Sequence, residues 1–398
     1  MKKILTLLAV LIITTLSACQ APAQVAPTEP YPIGQPGEAY LLETPAQEPI
    51  QQVTIDYAKN FTLEYKDGYK LLTVTLPWLG ATEPLQYALV PQDTQVKAEL
   101  EGAVVIPTPI DSFIGLSATY LPFLEQINEL ESLVAVDTGD YIYNAAVRDA
   151  VQAGTVAQVG SGPTIDIEQV IELDPDMVMT NASGLTEWDT HPILEQAGLP
   201  VVINSDYLEQ DPLGRAEWGK FIAAFYDKEV EAGQIFDAMA ERYQAAKALV
   251  ANQTEKVTVF VNTAWEGAWY MPGSDSYAAI LLRDAGADYL WSDLEGSGAM
   301  PIDFELVVER AKNADFWINV GFASSLADLS AMDPRYAEFL AYQQGGVFNN
   351  NARTTDMGGT DYFEGGTANP DQVLMDLITI FYPNLAGEHE FYFYRQLQ

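Results

Sequence analysis

Basic side chains are scarce in this chain: 19 Lys and Arg stand against 56 Asp and Glu in 398 residues, a formal charge of -37. Their positions therefore carry information. Arg148 is the only positive charge between Lys97 and Arg215, and Arg353 the only one between Arg335 and Arg395. Each follows a segment that reads as a strand running into a loop, the first through Tyr141, Tyr143 and Asn144, the second through Val347 to Asn351. In open α/β sheets ligands collect beyond the carboxyl ends of the strands, so one arginine from each half of the chain can face the same site. The planar guanidinium fork suits carboxylate, catecholate or hydroxamate oxygens. The plainer alternative is a local ion pair, Arg148 with Asp149 and Arg353 with Asp356.

Aromatic residues group the same way. Trp265, Trp269 and Tyr270 follow the apolar run Val257 to Val261, and Trp291 precedes a loop containing Gly296 and Gly298. With Tyr141 and Tyr143 they offer broad amphipathic surface for a bulky organic ligand; core filling is the competing use. Thr119 and Ser161 also follow strands and can donate hydrogen bonds, or serve in turns and caps.

Other chemistries are argued against by composition. So negative a surface repels phosphate backbones and anionic lipid headgroups. A single cysteine excludes an internal disulfide and a cysteine-based zinc cluster. Two histidines, His191 and His389, do not make a multi-histidine metal site, so no resident metal and no cofactor is expected. Asp356, Asp361 and Glu364 in a glycine-rich run could serve a glycan-cleaving carboxylate pair or a calcium loop. However, EF-hand spacing, G-x-S-x-G and H-E-x-x-H are all missing, and with 56 acids a local cluster is close to chance.

The elements that must position these groups begin after a targeting segment. Lys2 and Lys3 precede the apolar run Ile4 to Leu16, which has the size of a signal-peptide core. Leu16-Ser17-Ala18-Cys19 resembles the lipobox of bacterial lipoproteins, in which Cys19 would carry the lipid. Lipid on Cys19 anchors a chain without a spanning helix, so an exported protein facing the periplasm or the cell exterior is expected. Gln20 to Ile50 holds seven prolines and no basic residue, a spacer composition. Residues 52 to 90 read as alternating strands with a turn at Lys66-Asp67-Gly68. Ala103 to Ile106, Leu133 to Val136, Asp176 to Thr180 and Val201 to Asn204 read as buried strands between helical segments, the βαβ pattern of a mainly parallel sheet. Asp211-Pro212 opens a helical region that includes a long helix from Lys228 to Ala251. βα alternation then resumes. The expected organisation is 1–18 signal peptide, 19–50 tether, 51–210 first lobe with a β-rich leader, 211–252 helical linker and 253–398 second lobe. The halves also echo one another: Ile165-Asp166-Ile167-Glu168 and Ile302-Asp303-Phe304-Glu305 each open a helix that leads into an apolar strand.

From about residue 103 to 381 the chain resembles class III solute-binding proteins of ABC importers, which carry ferric siderophores, haem and vitamin B12. The carrying residues are Gly160-Ser161-Gly162, Ile165-Asp166-Ile167-Glu168 and Leu173-Asp174-Pro175-Asp176-Met177-Val178. Tyr141 to Asn144, Pro212 to Trp218, Trp269 to Gly273, Asn349 to Arg353 and Asp361 to Glu364 further resemble a subgroup of iron-complex binders. Asp166 stands where the family commonly has Asn; either residue can cap a helix.

The resemblance implies two Rossmann-like α/β lobes joined by a single long helix, with the ligand between them and no catalysis. It implies a monomer that delivers its ligand to a permease and ATPase complex. Glu168, and less securely Glu305, would dock on permease arginines; both are also ordinary first-turn helix acids. A ferric chelate brings its own metal ligands, which suits a chain poor in histidine. Vitamin B12 or haem in the same fold is the nearest alternative. A secreted glycan-acting enzyme and a carbohydrate-capturing surface lipoprotein are more distant, and neither requires matched lobes.

Overall fold

The computed structural model describes residues 52–92 and 102–398. The signal-peptide, tether and Cys19 readings lie outside the described residues. The described residues all fall within one compact unit.

Four strands open it: β1 (Phe61–Lys66), β2 (Tyr69–Val74), β3 (Leu85–Pro91) and β4 (Ala103–Thr108). β1 and β2 join through the expected Asp67-Gly68 turn, where Gly68 takes φ 86°, a conformation that glycine adopts without strain. β4 corrects one expectation. It is the outer strand of this leader sheet, paired in parallel with β3 alone, and Val104 and Val105 are exposed. Its apolar run therefore does not belong to a buried lobe sheet.

The leader is held to the body by two buried carboxylates. Glu217 accepts the backbone N–H groups of Asp56, Tyr57 and Ala58 at 2.7–3.1 Å, and Lys220 Nζ lies 2.8 Å from it. Glu209 accepts N–H groups from Lys59 and Asn60 and the Trp218 indole N–H. Each thus compensates its own burial with several donors.

The first lobe is an all-parallel sheet of β5 (Phe113–Gly115), β6 (Leu133–Val136), β7 (Ala157–Gln158), β8 (Met177–Thr180) and β9 (Val201–Ile203), in the order β7-β6-β5-β8-β9. Helices Pro212–Ala216 and Trp218–Ala223 follow. The expected long helix is then present as Glu229–Val250, flanked by Lys228 and Ala251. Its 22 residues span roughly 33 Å at 1.5 Å per residue. Among the described residues no helix is long and apolar enough to cross a membrane.

The second lobe contains β10 (Thr258–Val261), β11 (Ala264–Trp265), β12 (Ala268–Pro272), β13 (Asp288–Tyr289), β14 (Ala299–Asp303), β15 (Phe316–Ile318), β16 (Val347–Asn349) and β17 (Arg395–Gln396). Its main sheet runs β13-β10-β15-β16-β17, with only β17 antiparallel; β11, β12 and β14 form a small antiparallel sheet beside it. The sequence echo is structural. Helix Ile167–Leu173 leads into β8, and helix Phe304–Ala311 leads into β15. Both strands sit inside their sheets, between two parallel neighbours.

Candidate ligand cleft

Two cavities open at the carboxyl ends of the parallel strands, where such sheets place ligands. The first, about 540 Å³, belongs to the first lobe. Its wall is built from the turns after β5, β6, β7 and β8, which bring Ser117, Asp137, Tyr141, Ser161 and Asn181 together, with Trp188 at the side. The second, about 650 Å³, is lined from the second lobe by Asn262, Asn319, Asn350 and Asn351, with Arg215 and Arg395. The cavities are neighbours in the chain: Ser117 and Ala118 line one, Thr119 the other.

The asparagines share a local cause. β10, β15 and β16 each run out into asparagine. Asn262 (φ 65°) and Asn319 (φ 57°) take the left-handed conformation that asparagine tolerates better than most residues. Their side chains then fix the walls. Asn262 Nδ2 donates to Tyr270 O at 2.8 Å, Asn319 Oδ1 accepts from the Tyr394 hydroxyl at 2.9 Å, and Asn351 Oδ1 accepts from Arg395 Nε at 2.9 Å. Arg215 reaches Asp206 Oδ2 at 3.1 Å and stacks over Tyr277, its guanidinium carbon 5.4 Å from the ring centre. The apolar rim is prominent: Phe322 is 93% exposed, and Phe363, Tyr141 and Trp188 each about two-thirds exposed.

A third cavity, about 560 Å³, is lined by both lobes and holds Tyr143, Arg148 and Arg353. Both arginines line this cavity rather than the two strand-end cavities, and their partners differ from those expected. Arg148 Nη1 donates to the carbonyls of Tyr143 and Ile142, not to Asp149. Arg353 Nε lies 2.6 Å from Asp361, not Asp356, and its guanidinium carbon lies 5.1 Å from the Tyr143 ring centre and 4.2 Å from that of Tyr392. Glu364 crosses from the second lobe to the first. Its carboxylate accepts Tyr143 N at 2.6 Å and Asn144 N at 2.9 Å. Burial pushes its pKa up to about 7, against the lowering effect of those N–H groups, and nearby Asp361 and Glu125 add to the rise. Asp361 and Glu364 are thus tied to Arg353 and to backbone. Among the described residues no group of three or more His, Cys, Asp or Glu could hold a metal ion.

The remaining expectations divide. Thr119, Tyr141 and Ser161 line the two strand-end cavities. Trp269 and Trp291 correct the reading, because both are buried in the second lobe's core. In β12 the strand alternation sends Trp269 inward, where its indole N–H donates to Val261 O at 2.8 Å, and leaves Tyr270 outward. Trp291 is covered by Arg310, 5.2 Å from its ring centre. Trp265 and Tyr270 face solvent on the β11–β12 hairpin and line none of the three cavities. Arg215 and Arg395 were not singled out in the sequence. The signal for the second-lobe wall was the repeat of asparagine at strand ends.

Glu168 and Glu305 occupy the first turns of equivalent helices and are exposed. They differ in company: Arg335 lies 3.5 Å from Glu305, whereas Glu168 forms no salt bridge among the described residues.

The comparisons with known proteins agree with this architecture. A family model described as "Periplasmic binding protein" matches residues 114–353. An uncharacterised lipoprotein of Methanocaldococcus jannaschii is 30% identical over 305 residues, covering 73% of this chain and 69% of its own. A solved structure of a possible iron-binding (periplasmic solute-binding) protein from Staphylococcus epidermidis superimposes with a TM-score of 0.54 at 19% identity, covering 69% of this chain and all of that one. A periplasmic haem-binding protein from Pseudomonas aeruginosa gives 0.53 at 18%, covering 73% and 98%. At these identities the structures establish shared fold alone. The family is one of solute-binding proteins rather than enzymes, and this chain belongs to the periplasmic binding protein family.

Proposed function

We propose that the protein captures a ferric chelate, a siderophore or similar iron complex, in the inter-lobe cleft and delivers it to an ABC permease while held to the membrane through lipidated Cys19. The observation that carries this reading is the pair of adjoining strand-end cavities. They are roomy and lined by amide, hydroxyl and guanidinium groups, with side chains suited to grip the oxygen-rich shell of a preassembled complex. The relative named as a lipoprotein supports the anchor, and structural neighbours described as iron-binding and haem-binding support the ligand class.

One observation favours a second reading. The four exposed aromatic rings at the cleft rim suit the apolar face of a planar macrocycle such as haem or a corrinoid. Trp188 lines the first cavity and is the natural reporter. Quenching of tryptophan fluorescence is measured with ferric hydroxamates, ferric citrate, haem and cobalamin, comparing the protein with Trp188→Phe. Saturable quenching by a ferric chelate, diminished in the variant, is the expected result. A response confined to haem or cobalamin would select the second reading, and silence across the panel would overturn both.

A further inference from the structure

The two adjoining cavities carry charges of opposite sign that lack an ionic partner. On the first-lobe wall the candidates are Asp137 and Asp189. Asp189 also forms no salt bridge among the described residues, but its oxygens already accept the N–H and hydroxyl of Ser183 and the N–H of Gly184 at 2.7–2.9 Å. Asp137, at the end of β6, forms no salt bridge among the described residues and lines the cavity. Burial pushes its pKa up, with only backbone N–H groups opposing the shift. That is the behaviour of a carboxylate removed from water without a counter-cation. Close enough to feel it is the buried Tyr120, whose hydroxyl has no hydrogen-bond partner.

In the adjoining cavity, Arg215 is neutralised by Asp206. Arg395 is not neutralised. Its Nε and Nη2 donate to neutral oxygens, Asn351 Oδ1 and Ser324 O, which leaves Nη1 for a ligand. Asp328, the acid that senses Arg395, turns an oxygen to Ser324 N at 2.9 Å and forms no salt bridge with it.

Adjoining cavities that hold an unpaired carboxylate and an unpaired guanidinium are complementary to a ligand with its own polarity. We propose that the cleft selects a ferric chelate bearing a protonated amine, bound in one orientation with the amine against Asp137 and the chelate's oxygen acceptors against Arg395. This deepens the capture reading above and rests on it. The overall negative charge of the protein attracts any cation, so the test isolates one side chain.

The probes are ferrioxamine B, a ferric trihydroxamate with a free amine, and its N-acetylated form, which differs only in lacking that charge. Dissociation constants for the full-length protein come from tryptophan quenching. The intact protein is expected to prefer the amine form by roughly tenfold, the scale of one charge-assisted hydrogen bond. Asp137→Asn should bring the ratio close to one, and Asp137→Glu should restore part of it. Arg395→Gln should weaken both forms by a similar factor and leave their ratio in place. Equal binding of the two forms by the intact protein would overturn the proposal, as would an unchanged ratio in Asp137→Asn. Binding of haem or cobalamin with neither hydroxamate bound would overturn this inference and leave solute capture standing. Silence to every probe would remove the capture reading itself and the inference with it.

Discussion

The two lobes share a plan and differ in what their strand ends say. In the first lobe the turns after the strands present Ser117, Asp137, Ser161 and Asn181. In the second, three strands end in asparagine, and the cations Arg215 and Arg395 face that wall. The cores differ as well. The second lobe packs Phe260, Trp269, Trp317, Tyr336 and Phe339 as contacting rings with centroids 4.9–6.5 Å apart, whereas the first lobe keeps an aliphatic cluster around Ile114, Val178 and Ile203 separate from one that holds Phe113, Tyr120, Phe123 and Phe221. The same parallel-sheet scaffold thus tolerates different fillings. What distinguishes the walls is the residue that follows each strand, where pairing within the sheet ends.

The sharpest break of this comparison separates tryptophans that hold the fold from one that faces the cleft. Trp317→Ala should lower stability by about 3–5 kcal/mol, read by chemical denaturation, because it empties a fully buried site among aromatic neighbours. Trp188→Ala, at the exposed rim, should change stability by less than about 1 kcal/mol and diminish ligand-dependent quenching instead. Similar losses from both would mean that the rim is structural.

Next is the attachment of the leader sheet. Glu217→Ala should cost roughly 3 kcal/mol, since it strands the buried Lys220 ammonium and three backbone N–H groups. Limited proteolysis should then cut first in the leader. Resistance equal to that of the intact protein would show that the leader is held otherwise.

A third test concerns the junction between the lobes. The Glu364 carboxyl has its pKa raised from 4.5 to about 7 in the folded state. Between those values the folded state binds more protons at this site than the unfolded chain, so the contribution of Glu364 falls as pH rises through that window. The linkage amounts to roughly 3 kcal/mol at most. Unfolding of the protein and of Glu364→Gln between pH 4.5 and 7.5 should show the stability difference shifting in favour of the variant as pH rises. A constant difference would refute the raised value.

The smallest effect is expected at Glu168 and Glu305, the acids proposed to dock on the permease. In reconstituted uptake, Glu168→Ala should reduce transport severalfold with ligand affinity unchanged. Glu305→Ala should do so less, because Arg335 already screens that carboxylate. Equal losses would show that the ion pair opens on docking.

Much of the scaffold was legible in the sequence. The long helix was located within one residue at each end, as was the Asp67-Gly68 turn, because helical periodicity, Pro at a helix start and glycine in a turn act through neighbours in the chain. The duplicated Ile-Asp-x-Glu motif was legible for the same reason: its Asp residues sit at helix starts and its apolar positions point inward. Ala103 to Ile106 shows where local pattern fails. An apolar run of that length reads alike in a sheet interior and at a leader's edge, and only its pairing with β3 decides.

The cleft divides in the same way. The sequence alone determined that basic residues were few, that two stood isolated, and that aromatic and hydroxyl groups gathered after strands. Tertiary structure decided that Arg148 and Arg353 take local partners, that Trp269 turns inward while Tyr270 turns outward, and that Arg215 and Arg395 face the cavity. The physical reason is range. Secondary structure and burial pattern follow from the nearest few residues, whereas a binding wall is assembled by sheet order, which brings Asn262, Asn319 and Asn350 together from three separate strand ends.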